Sequence, residues 1–136
     1  MVFEREIGFS TKGSLDMVDI TSEVGRVVRD SGIEEGMVLV FAPGATGAVI
    51  TIENEPGLVE DFKRVLREIV KTKADYLHDR IDNNAASHLR ASLLGAGKCF
   101  PISRGELVRG IWQQIFFVEL DVRRRNRRLV VKVIGE

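Results

Sequence analysis

The chain opens on an alternation. Phe3, Arg5, Ile7 and Phe9 fall on one side, and Glu4, Glu6 and Ser10 on the other. A two-residue period belongs to a strand with one buried face, so a strand is predicted over 3–11. Gly13 and Ser14 mark a turn. Asp19, Thr21 and Ser22 are helix-capping types, and Val24, Val27 and Val28 follow at helical spacing. A helix is predicted there, ending at Ser31-Gly32. Met37 to Ala42 is apolar throughout and predicts a central strand buried on both faces. A loop of small residues, 43–47, leads to a second strand over 48–53, with Ala48, Ile50 and Ile52 on one side.

Pro56 suits a first helical position. Leu58, Val59, Phe62, Val65, Leu66, Ile69 and Val70 then form one apolar stripe. This predicts a helix over 56–72 that turns Phe62, Leu66 and Ile69 against a sheet. Residues 73–82 are polar and irregular. Asn83 or Asn84 caps a third helix, which runs to Leu94 and stops at Gly95 and Gly97. The rest reads as β: a short strand over 98–102, a turn over 103–106, a strand over 112–121 and a last strand over 129–134. Pro101 asks for an edge position. The order β-α-β-β-α-α-β-β-β lacks a repeating βαβ unit. It predicts one α+β domain, 1–136, with a largely antiparallel sheet.

The strand 112–121 raises a question of cover. Gln113 shares a side with Ile111, Ile115 and Phe117, and Gln114 shares the other with Trp112, Phe116, Val118 and Leu120. Both faces are mostly apolar. Either helices of the same chain cover both, or a neighbouring subunit covers one. Charge adds to the case for a neighbour. Lys plus Arg is 20 and Asp plus Glu is 20, so net charge is zero, which favours self-association. It also argues against a general nucleic-acid-binding surface. No run of about 18 apolar residues is present, and residues 1–7 lack an apolar signal core. The expectation is a cytoplasmic chain with no membrane partner.

Candidate chemistry is sparse. Cys99 is the only cysteine, which excludes an intrachain disulfide; beside Phe100 in a strand it reads as a buried structural residue. The two histidines, His78 and His88, are ten residues apart, too far for a same-face pair on one helix. They serve as metal ligands or acid–base groups if the chain folds back, and as surface residues otherwise. Gly44, Thr46 and Gly47 lie in the small-residue loop, where backbone N–H groups can approach an anion, or where the chain simply turns tightly. Glu53, with Asn54 and Glu55, ends a strand. Carboxylates there hold a hard cation such as Mg²⁺ or complement the dipole of the helix that follows. The run Arg123, Arg124, Arg125, Arg127 and Arg128 reads as a solvated hairpin tip, an intersubunit ion-pair network or a phosphate-binding patch. No aromatic residue interleaves with it, so it offers no base-stacking platform.

Several segments together resemble the YjbQ family. They are His88-Leu-Arg-Ala-Ser-Leu-Leu-Gly95, Phe100-Pro-Ile-Ser-Arg-Gly-Glu-Leu107, Gly110-Ile-Trp-Gln113 and Glu119-Leu-Asp121. Asp19-Ile-Thr21, Val40-Phe-Ala-Pro43, Glu53-Asn54, Asp61, Tyr76-Leu-His78 and Val133-Ile-Gly-Glu136 fit in order. The resemblance covers essentially the whole chain. It implies a strongly curved, mostly antiparallel sheet with three helices, and a homotrimer with its site at a subunit boundary. It also implies a secondary thiamine-phosphate synthase activity, joining a pyrimidine diphosphate to a thiazole phosphate with release of pyrophosphate.

The family's site gathers three histidines, of which two match His78 and His88. Gly44 stands where the third usually follows a proline, while Thr46 and Glu53 match. Ile111 replaces the threonine of a Gly-Thr-Trp-Gln motif, and Asp121-Val-Arg-Arg-Arg125 replaces an Asp-Gly-Pro-Arg turn. These departures put a three-histidine metal site out of reach within one chain. A zinc or magnesium site of His78, His88 and Glu53 stays open, as does a phosphate site without a tightly held metal. In the enzymatic version Glu53 helps hold the metal and Arg90 meets phosphate. The two histidines bind phosphate or move protons, and Gly44, Thr46, Gly47 and Gln113 contact the substrate. The alternative is a homotrimer that binds a small phosphorylated metabolite, or a metal, without turnover.

Overall fold

A computed structural model describes all 136 residues. The strand expected over 3–11 is β1 (Val2–Ser10), and a short strand missed in the sequence, β2 (Met17–Asp19), follows it. Helix α1 (Thr21–Ser31) turns Val24, Val27 and Val28 inward and ends at Gly32, whose φ of 71° is the left-handed turn that favours glycine. Then come β3 (Gly36–Phe41), β4 (Gly47–Ile52) and α2 (Pro56–Ile69). A 3₁₀ turn (Leu77–Arg80) sits in the irregular stretch, and α3 (Ala85–Leu94) follows. The last third is β5 (Gly97–Ser103), β6 (Glu106–Leu107), β7 (Gln114–Glu119) and β8 (Asn126–Gly135).

The fold class is α+β, as expected, with three helices and strands that pair only antiparallel. The strands form two ladders, β1-β8-β3-β5-β6 and β2-β7-β4. One core lies between the five-stranded ladder, α1 and one face of the three-stranded ladder, with Phe117 and Ile115 at its centre. The other face of the three-stranded ladder carries Phe116, Val118 and Leu120 and packs on Leu66 of α2 and Ala91 of α3. Strand β7 is thus covered on both sides by its own chain. The apolar pattern of that strand therefore gives no ground for a neighbouring subunit.

The sheet face that does lack cover is elsewhere. In β3, Val38 and Val40 are fully buried while Met37, Leu39 and Phe41 are exposed. The expectation that this strand is buried on both faces is corrected: the single chain covers only one. Cys99, expected to be buried, lies opposite Leu39 on that open face and is exposed. Ile111 and Trp112 are exposed in a turn that precedes β7, not in the strand. Helix α2 buries Leu66 and half-buries Phe62, but Ile69 in its last turn is exposed. The edge position expected for Pro101 is corrected: β5 lies between β3 and β6, and the Pro101 carbonyl accepts from the Val108 N–H on the side of β6, a strand of only two residues. The nitrogen and carbonyl of a strand residue point to the same side, so the missing donor falls on the β6 side and leaves the β3 ladder intact.

Six connections cross between the ladders, and three of them lie together. These three are 11–16 after β1, 42–46 after β3 and 120–125 after β7. They meet at one end of the molecule: the Thr11 N–H donates to Arg125 O and the Leu120 N–H to Thr46 O, at 2.8 and 2.9 Å.

Candidate functional site

The meeting of these crossings is stitched by a buried ionic network. Glu119, the last residue of β7, is fully buried. Its carboxylate accepts from the Thr11 hydroxyl at 2.8 Å, the Asp121 N–H at 3.1 Å and Arg127 Nε at 2.9 Å. A second bond from Arg127 Nη2 makes the pair bidentate. Arg127 Nη2 also donates to the Thr46 carbonyl and hydroxyl, at 3.2 and 3.1 Å. Arg127 is inward because β8 has period two: it shares a side with Leu129, Val131 and Val133, all buried. The same bond pattern holds Asp121, which accepts from its neighbour's N–H at Val122 and from Arg125 Nη1. Burial pushes the Asp121 carboxyl up, but the Val122 N–H, the Arg125 hydrogen bond and the charges of Arg125 and Arg127 outweigh it. The net position is below the ordinary value of 3.8.

Above this network lies a cleft of about 570 Å³, lined by Gly44, Ala45 and Thr46 of one crossing, Asp121, Val122, Arg123 and Arg125 of another, and Arg127 of β8. Asp82, Asn83, Asn84 and His88 close it from the start of α3. The N–H groups of Gly44, Ala45 and Thr46 donate to no protein acceptor. Asn84 stands at the N-cap position of α3 but makes no cap bond. Its Oδ1 instead lies 3.0 Å from His78 Nε2. The Asp79 carboxylate takes over the cap, accepting from the Ala85 N–H at 3.0 Å and meeting the positive end of the α3 dipole.

The fold brings His78, on the 3₁₀ turn, and His88, one turn into α3, into contact: their ring centres are 5.0 Å apart at an 80° tilt. Gly44, Thr46 and His88 line the same cleft. Gly47 serves packing, because a Cβ there would stand 2.6 Å from the Phe117 ring. Glu53 and Gln113 lie at the opposite end of the three-stranded ladder, where Ile52 pairs with Gln114. At about 3.3 Å per residue that is about 20 Å from Thr46. Gln113 there accepts from the Gly110 N–H. Arg90 is buried and donates from Nε and Nη2 to the Val70 carbonyl and from Nη2 to the Thr72 hydroxyl. Burial is the main cause that lowers its pKa. It ties α3 to the end of α2 and does not line the cleft.

Zinc takes at least three protein ligands. Within one chain no three His, Cys, Asp or Glu side chains meet in that way. The two imidazoles alone do not make such a set, and Asn84 holds a nitrogen of one of them. The arginines at 123, 125 and 127 are what the sequence reading left out of the site. Their signal was present: Arg127 sits in register with the inward residues of an apolar strand.

An α+β half-barrel with a cleft where its ladders exchange strands is the class these observations define. The chain belongs to the YjbQ family: the family model described as "UPF0047 protein YjbQ-like" matches residues 5–136. A UPF0047 protein of Methanothermobacter thermautotrophicus is 43% identical over 135 residues, covering 99% of this chain and 94% of that protein. A UPF0047 protein of Archaeoglobus fulgidus is 39% identical, covering 95% of this chain and 99% of that protein. Among solved structures, a YbjQ-like protein of unknown function from Sulfolobus solfataricus P2 superposes with a TM-score of 0.97 at 41% identity, covering 100% and 99% of the two chains. A hypothetical protein from Aeropyrum pernix K1 gives 0.93 at 32% identity, covering 98% and 99%. No helix of the chain is long and apolar enough to cross a membrane.

Proposed function

We propose that the cleft binds a small phosphorylated metabolite. One observation carries this: Arg123, Arg125 and Arg127 converge with the free N–H groups of 44–46 and with His88 on a single concave site. Oriented backbone N–H groups beside guanidinium groups suit a phosphate. The only apolar side chains lining the cleft are Ala45 and Val122, and no Phe, Tyr or Trp ring is among its lining residues. That supports binding over a thiamine-phosphate synthase reaction, whose two heterocycles need flat apolar walls. Calorimetry with a panel of phosphate esters tests the reading. Millimolar or tighter binding that weakens with salt is the expected result; no binding across the panel would sink it. Pyrophosphate release from the pyrimidine diphosphate, dependent on Mg²⁺ and on added thiazole phosphate, would instead favour the synthase.

The chain also self-associates, on this reading, through the open face of the five-stranded ladder. Met37, Leu39, Phe41 and Ile134 are apolar there and between 36% and 52% exposed. Adjacent exposed side chains of this kind mark an interface. A homotrimer gives a scattering mass near three times 15.2 kDa, and Leu39→Asp reduces it. A wild-type mass of a single chain at micromolar concentration would rule the trimer out. A divalent metal, Mg²⁺ or Zn²⁺, on His78 and His88 requires a further ligand such as Glu53 of a second copy.

A further inference from the structure

Arg127 spends only part of its guanidinium on the buried network. Nε and Nη2 serve Glu119 and Thr46, whereas Nη1 donates to no protein acceptor. Arg127 is 7% exposed, yet no fully buried side-chain nitrogen or oxygen in the molecule lacks a partner. Nη1 is therefore open, and Arg127 lines the cleft. Gly44 adjoins it. A Cβ built on Gly44 would stand 3.7 Å from Nη1, and no other atom comes within 4 Å. A methyl group at 44 would be in van der Waals contact with the guanidinium edge. The φ of +108° at Gly44 also disfavours other residues.

We infer that Arg127 Nη1, reached through the gap at Gly44, is the oxyanion subsite of this cleft, and that it takes the terminal phosphate of a non-aromatic phosphate monoester. The inference rests on the phosphate-binding reading above and narrows it. The two N–H groups of Nη1, three backbone N–H groups and Arg123 outnumber what a carboxylate can accept, and match a tetrahedral phosphate. Charge sets an upper limit. Arg125 is already paired with Asp121, and Arg127 with Glu119. Arg123 is the one lining arginine without a carboxylate partner, and the Asp82 carboxylate shares the cleft. A diphosphate would meet more negative charge than the site offsets, whereas a single phosphate suits it. Asp82 is placed to accept from a hydroxyl or amino group on the rest of the ligand.

The test uses wild-type protein and three probes: inorganic phosphate, glycerol phosphate and pyrophosphate. Nitrogen-15 spectra should show the Arg127 Nε–H and the amides of residues 44–46 moving on addition of the first two. Glycerol phosphate should bind at least as well as inorganic phosphate, and pyrophosphate at least threefold more weakly than either. Gly44→Ala should weaken glycerol phosphate at least tenfold. Alanine is strained at this φ, so the wild-type spectra decide the matter if that variant unfolds. Phosphate binding that leaves the Arg127 and 44–46 signals in place, or that survives Gly44→Ala in a folded protein, overturns the subsite and leaves the phosphate-binding reading standing. Tighter binding of pyrophosphate overturns the monoester assignment. Binding of none of the three overturns both.

Discussion

The two ends of the three-stranded ladder carry equally polar sequences and do different things with them. At the β4 C-terminal end, Gln114 accepts from the Asn54 N–H and donates to Ile111 O. Asn54 donates to Asp19, Asp19 accepts from Thr21, and Thr21 accepts from the Ile115 N–H. Glu55 caps α2. These polar groups close the fold upon itself. At the other end the carboxylates are also paired, but donors are left over: three loop N–H groups and one face of Arg127. Residue type does not separate the two ends; the donors left over around the buried network do.

The largest expected effect comes from the cleft end. Glu119→Ala leaves the buried Arg127 charge without its partner, which costs about 3–5 kcal/mol. Urea unfolding measures it, and a loss under about 1 kcal/mol would mean that the network does not hold the crossings together. At the closed end Gln114→Ala removes two hydrogen bonds and leaves donors and acceptors to water, costing about 1–2 kcal/mol. Phosphate affinity should be unchanged in that variant; a tenfold loss would erase the distinction between the ends.

Acid sharpens the comparison further. The Asp121 carboxyl lies below its ordinary value in the folded state and returns to it on unfolding. Its contribution is complete above about pH 4 and is lost as pH falls through the lower folded value. Asp121→Asn should flatten the acid limb of stability below the carboxyl's ordinary value of 3.8, measured by thermal unfolding. An unchanged acid limb would show that the carboxylate is not held as described. The smallest effect is expected at Glu53, which makes no side-chain hydrogen bond and lies far from the cleft. Glu53→Gln should change stability by less than about 0.5 kcal/mol and leave phosphate binding as it was. A loss of binding would return this residue to the site.

Much of this architecture was legible in the sequence. Period two gave β1, and the helical stripe after Pro56 gave α2. Asn84 and Gly95 bracketed α3. Short elements were not legible: β2 and β6 have three and two residues, too few to show a period. The covered and open faces of β3 were not distinguishable either, because Val38 and Leu39 are equally apolar and only tertiary placement separates them. Ile69 belongs to the stripe of α2, yet as the last residue of that helix it is exposed. The histidine pair and the loop were visible as motifs, but the cleft was not. It arises where three crossings meet, and the run of arginines reads as surface charge until β8 turns Arg127 inward. Arg90 misled in the opposite way, an arginine beside the histidines in sequence and buried in structure.

The central claim is that the cleft end, and not the closed end, receives a phosphate. A crystal structure grown with millimolar glycerol phosphate tests it most directly. The account predicts phosphate density against Arg127 Nη1 and the 44–46 loop, with Glu53 and Gln113 free of ligand. Density at the Glu53 and Gln113 end, with the cleft empty, would contradict it.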